Sequence, residues 1–282
     1  TASLTSSPRC DLSSTSGCAP GLTAPHSWSV FGLDAAELLT QWASAMLLVG
    51  WVTTRHRVVS RGFGYLIRLT AGVLLAGSAL VTTLAEVALP IAIPAVVLAA
   101  LTATGLYGLV RSRRDDIEPD PIWDLVVGGL GLLLFLGFVA VTYEPAALAV
   151  ARAGVGALFL GAIGNSMLLG HWYLLQPGMS RAPLLELVRM ILVLWPIELL
   201  LQLWPTGMLS VISGDINDGS GGLLGWFWIG CVVLTPCLVI ATRLALREKQ
   251  YEAVMAATGL LYLAILTGFG MDLTARALLG ST

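Results

Sequence analysis

The sequence predicts an all-α fold: a polytopic integral membrane protein of about eight transmembrane helices with both termini outside. Three observations lead there. Of the 282 residues, 56% are apolar and only 11% are charged, whereas water-soluble domains carry about 25% charged residues. The mean hydropathy is +0.84. The apolar residues fall into runs of about 20, long enough to cross a bilayer core as helices, and 31 glycines allow such helices close approach. Because these runs are continuously apolar rather than alternating, a membrane β-barrel is excluded. A net charge of −2 excludes nucleic acid as a partner, which would require a basic face.

Residues 1–34 form a polar tail rich in Ser, Thr, Pro and Gly, a composition that cannot bury a core. Cys10 and Cys18 lie in it and are expected to pair as a disulfide if the tail faces an oxidising, extracytoplasmic compartment. Residues 35–282 make the transmembrane domain. Its apolar segments run Ala35–Thr54, Tyr65–Ala88, Ile91–Val110, Ile122–Thr142, Ala146–Tyr173, Leu185–Leu203, Leu223–Leu246 and Ala253–Leu273. The tight connection at Leu89-Pro90 predicts an antiparallel hairpin of the second and third. Pro94, Pro196 and Pro236 fall inside segments, where proline kinks a helix.

Alternate connections are basic. Arg55, Arg57 and Arg61 follow the first segment, Arg111, Arg113 and Arg114 the third. Arg181 and Arg189 flank the fifth connection, and Arg247 and Lys249 the seventh. The intervening connections are poor in Lys and Arg, so the basic loops share one side, which the positive-inside rule assigns to the cytoplasm. The composition fits a bacterial cytoplasmic (inner) membrane. The stretch Pro205–Gly222, containing SGDINDGSGG, reads as a solvated loop that resembles a cation-binding run in composition only.

Ionisable groups within membrane segments are costly and face the protein interior or a cavity, so they mark candidate sites. At about 1.5 Å per residue, Glu198 is the deepest charge, in LVLWPIELLLQ, with Asn165 similarly deep. Glu198 reads either as a proton or ion acceptor or as a buried ion pair with Arg152, for which Glu86 competes; pairs of that kind fix helix register without catalytic work. Arg68 and Asp124 form a second plausible pair towards the basic side. His171, Trp172 and Tyr173, in LLGHWYLL, form an interfacial aromatic belt that can contact a quinone or lipid head group. A membrane histidine beside glycine can also ligate a haem or chlorophyll metal. However, His26 lies in the tail and His56 in a basic loop, unsuited as second ligands, so no cofactor of the chain's own is expected.

Ala153, Ala157, Gly161 and Asn165 recur at four-residue spacing, a small-residue packing stripe that Gly128, Gly129 and Gly131 could face. Cys231 and Cys237, six residues apart on one helix, read as apolar filler. No P-loop, HExxH or GxSxG is present, and no metal site is expected. These features suggest a non-catalytic accessory subunit of a larger energy-transducing membrane complex, respiratory or photosynthetic, with membrane lipids and other membrane subunits as partners. The alternative is a small-molecule or ion transporter using Glu198. A lipid-processing enzyme, the third reading, would need Asp124, His171 and Tyr173 to meet.

Overall fold

The computed structural model describes residues 27–55, 57–84, 89–114, 121–176, 178–204, 207–214 and 221–279, and no strand occurs among them. The helices are α1 (Ser27–Thr54), α2 (Arg61–Leu84), α3 (Leu89–Arg114), α4 (Ile122–Thr142), α5 (Ala146–Leu175), α6 (Ala182–Leu203), α7 (Gly207–Ile212), α8 (Leu223–Ala245) and α9 (Tyr251–Leu279). Six stretches within them, in α1, α2, α4, α5, α8 and α9, are long and apolar enough to cross a membrane. The chain is therefore a helical, multi-pass membrane protein. Helix α6 is 22 residues long but carries Glu186, Arg189 and Glu198, so charge rather than length sets it apart from those six. Of α3, the apolar stretch Leu98–Gly108 is described.

The outer surface inverts the pattern of a soluble protein. Leu69, Val73 and Leu80 of α2, Leu133 and Val141 of α4, Val193 and Leu200 of α6, and Leu244 of α8 are all exposed. Buried positions, by contrast, include Glu37, Gln41, Ser44, Arg68, Asp124, Asn165, Glu198 and Asp272. Lipid replaces water outside, and polar groups find partners only inside the bundle.

Helix α1 is the hub, packing against α2, α4 and α5. Small residues allow this. A Cβ on Gly161 of α5 would stand 2.8 Å from the backbone of Ala45, and one on Gly128 of α4 would stand 2.3 Å from the Leu48 nitrogen. Gly128 of α4 and Gly161 of α5 therefore pack on α1, whereas the sequence had suggested that the two stripes face each other. Helices α4 and α5 still meet directly, through Phe135, Val139 and Ala153. Around this hub Leu47, Phe63, Ile67, Phe159, Leu160 and Ile163 form the apolar core.

Two further differences from the sequence reading are physical. Helix α1 begins at Ser27 rather than Ala35, because SWSVFGLD contains no proline to stop a helix that the apolar run has already nucleated. The stretch after α6 is not wholly a solvated loop: α7 forms there because Met208 and Val211 bury themselves against the bundle. The hairpin expected at Leu89-Pro90 falls partly on residues 85–88, including Glu86, which lie outside the described residues, as do Cys10 and Cys18. Pro196 and Pro236 lie inside α6 and α8.

The connections α1–α2, α5–α6 and α8–α9 share one end of the bundle. Arg55 reaches Glu186 at 2.5 Å, Trp172 donates to Ser60 Oγ at 3.0 Å, and Arg181 donates to the Leu246 carbonyl at 3.2 Å. This is the end with the Arg-bearing loops. The start of α1, the α4–α5 turn, and the ends of α6 and α9 gather at the other.

Candidate functional site

That opposite end holds a layer of buried polar groups. Four helices each contribute two residues one turn apart: Glu37 and Gln41 on α1, Arg152 and Gly156 on α5, Glu198 and Gln202 on α6, Asp272 and Arg276 on α9. At this spacing both members lie on the same face of their helix. Gly156 supplies the room. A methyl group there would lie 3.0 Å from Asp272 Oδ1, 3.3 Å from Gln41 Nε2 and 3.4 Å from Arg276 Nη2. Three side chains from two other helices thus converge on the face of α5 that lacks one.

The hydrogen bonds run both between helices and within them. Gln41 Nε2 donates to the Ala153 carbonyl at 3.0 Å, and the Tyr143 hydroxyl donates to Glu37 Oε1 at 2.7 Å. Arg276 Nε donates to Asp272 Oδ2 at 2.7 Å. Gln202 Nε2 donates to Glu198 Oε1 at 2.7 Å, while Gln202 Oε1 accepts from Trp228 Nε1 of α8 at 2.8 Å. One amide therefore ties the Glu198 carboxyl to an indole on a different helix.

Arg152 takes a role the sequence did not suggest. Its Nε donates to the Leu201 carbonyl at 2.9 Å and its Nη2 to the Trp204 carbonyl. It thus caps the carboxyl end of α6, where orphan carbonyls and the negative end of the helix dipole collect. A contact ion pair with Glu198 does not form. The two groups remain within electrostatic reach, as do Asp272 and Arg276, so Glu198 sits in the field of one aspartate and two arginines without an ion pair to either arginine.

Glu198 is 2% exposed. Its Oε2 has no hydrogen-bond partner among the described residues, and the same is true of Gln41 Oε1 and Asn165 Oδ1. A buried acceptor without a donor costs about 1–3 kcal/mol; Trp42 Nε1, Ser44 Oγ, Trp123 Nε1 and Trp195 Nε1 are likewise unpartnered among the described residues. Asn165 itself lies deeper, where its Nδ2 donates to the Met46 carbonyl at 3.0 Å and to the Gly161 carbonyl at 2.9 Å, stitching α5 to α1.

At the basic end the expected Arg68–Asp124 pair is present and closed. Arg68 Nε and Nη2 reach the two Asp124 oxygens at 2.6 and 3.1 Å, and Nη1 donates to the Gly105 carbonyl at 2.9 Å. Asp124 is thereby engaged and does not join His171 and Tyr173. His171, Trp172 and Tyr173 point in different directions, because successive helical residues are about 100° apart. His171 is exposed, its ring edge-on to Tyr262. Trp172 turns to Ser60, and the buried Tyr173 hydroxyl donates to the Ser180 carbonyl at 2.5 Å.

Sequence reasoning missed Glu37, Gln41, Gln202 and Trp228. The first three were recoverable from the recurring one-turn polar spacing; nothing in the sequence marks Trp228. Among the described residues, no group of three or more His, Cys, Asp and Glu side chains is placed to hold a metal ion. No protein-family model, curated protein or solved structure matches the chain.

Proposed function

We propose that this protein handles a proton or small cation at the buried polar layer, with Glu198 as the exchanging carboxyl group. The observation that carries this reading is Glu198 Oε2, buried and lacking a donor among the described residues. A proton on that oxygen, or a desolvated cation against it, supplies what the protein does not. Gln202 holds the other oxygen and is itself held by Trp228, so exchange at Oε2 is felt on α8. Arg152 and Arg276 balance the charge from a distance, which keeps Oε2 available where a contact pair would saturate it.

In this proposal α3 and α6 also cross the bilayer, giving eight spans. The Arg-bearing end faces the cytoplasm of a bacterial cell, as the positive-inside rule directs. The test is flux into proteoliposomes. The wild-type protein should dissipate an imposed proton or monovalent-cation gradient faster than empty liposomes, and Glu198→Gln should return the rate to the empty-liposome level. A wild-type rate equal to that of empty liposomes, or an unaltered rate in the variant, overturns the proposal.

One observation favours the second reading, an accessory subunit of a larger energy-transducing complex. Among the described residues, nothing lies within 4 Å of where a Cβ would stand on Gly129 and Gly137 of α4, Gly230 of α8 or Gly259 of α9. Outward-facing small residues leave room for a partner's helix. A native gel of mildly solubilised membranes decides it: co-migration with other subunits supports the reading, and a small isolated species removes it.

A further inference from the structure

The basic end contains a cavity of about 330 Å³ between the α5–α6 and α8–α9 connections, lined by Tyr173, Gly178, Met179, Arg181, Lys249, Tyr251 and Val254. That volume is within the range of small-ligand pockets, about 300–1,000 Å³. Its construction is specific. Arg181 donates to the carbonyls of Leu246, Glu248, Lys249 and Gln250, which fixes its guanidinium against the end of α8. The Tyr251 hydroxyl donates to the Leu174 carbonyl at 3.3 Å, and that of Tyr173 to the Ser180 carbonyl at 2.5 Å, so both rings stand as fixed walls.

The lining carries two cations and no acid. Arg181 is immobilised by carbonyls. The Lys249 ammonium has no hydrogen-bond or ion-pair partner among the described residues, and Lys249 is exposed. Met179, Val254 and the phenol rings supply an apolar flank beside this charge. A cavity with a free ammonium, a fixed guanidinium and an apolar wall suits a ligand that is anionic at one end and apolar at the other. Its position at a membrane-helix end, next to other Arg-bearing loops, is where anionic lipid head groups gather.

We propose that this cavity binds a phosphate group of the kind an anionic phospholipid head group carries, with Lys249 as the group that contacts the phosphate and Arg181 as a fixed positive wall. The test is native mass spectrometry of the full chain exchanged into phosphatidylglycerol, into phosphatidylcholine, or into neutral detergent with inorganic phosphate. The wild type should retain one phosphatidylglycerol and no phosphatidylcholine. Lys249→Gln should weaken retention about tenfold, the worth of one charge-assisted contact, and Lys249→Arg should restore it. If inorganic phosphate binds in place of the lipid, and does so through Lys249, the phosphate site stands with a soluble source. Equal retention of phosphatidylcholine, or retention unchanged in Lys249→Gln, overturns it. A thermal unfolding curve matching the wild type ensures that loss in Lys249→Gln reflects the site and not the fold. Because this cavity lies at the opposite end from Glu198, failure here leaves the flux proposal untouched.

Discussion

The two ends of the bundle both bury arginine and carboxylate, yet they arrange them differently. Arg68 and Asp124 form a bidentate pair whose third arginine donor is taken by the Gly105 carbonyl. Nothing is left to react. At the other end Arg152 caps α6, Arg276 holds Asp272, and Glu198 keeps one oxygen unpartnered among the described residues. The same residue types make a structural clasp when saturated and a receptive site when not. Burial alone does not separate them, since Arg68, Asp124, Glu198 and Asp272 are all 5% exposed or less. Counting donors against acceptors does.

The comparison can be broken most forcefully at the clasp. Arg68→Ala leaves Asp124 buried and unpaired and should cost about 3–5 kcal/mol, read as lost stability in detergent unfolding. Replacing both partners by Leu should recover most of it. A single variant as stable as the wild type would mean that the pair does not hold α2 to α4. A smaller loss, about 1–3 kcal/mol, is expected for Gly128→Val, because the added atoms meet the Leu48 backbone rather than a movable side chain. Gly129→Ala, one residue along and facing open space, should instead gain about 0.5–1 kcal/mol. Equal responses at the two glycines would contradict the placement of α4 on α1.

At the receptive end stability effects should shrink while functional ones grow. Trp228→Phe strips Gln202 Oε1 of its donor and should cost about 1–3 kcal/mol. It should also remove any change in tryptophan fluorescence that accompanies proton or cation addition, and a signal that survives the substitution excludes the Gln202 link. Glu198→Gln keeps an acceptor for Gln202 Nε2, so its stability should change by less than about 1 kcal/mol. A large loss of stability there would recast Glu198 as a clasp like Asp124.

Much of this was legible beforehand, for identifiable reasons. Helix-length apolar runs announced the class, and Arg68 with Asp124 could be paired because both lie at the same depth. Arg152 misled because depth alone put it beside Glu198. Its actual partners, the Leu201 and Trp204 carbonyls, are backbone groups that every residue carries and no sequence singles out. Glu37 and Gln41 were hidden near a polar tail, where their charge and polarity looked ordinary. His171, Trp172 and Tyr173 looked like one site because they are adjacent in sequence, which on a helix guarantees divergence.

The most direct measurement is an infrared difference spectrum of the protein in membranes, recorded across a pH jump or on cation addition. A proton or cation exchanging at Glu198 changes its carboxyl stretch, so the wild type should show a carboxyl difference band that Glu198→Gln lacks. A band that persists in Glu198→Gln, or a wild-type spectrum with no carboxyl change, would contradict the account.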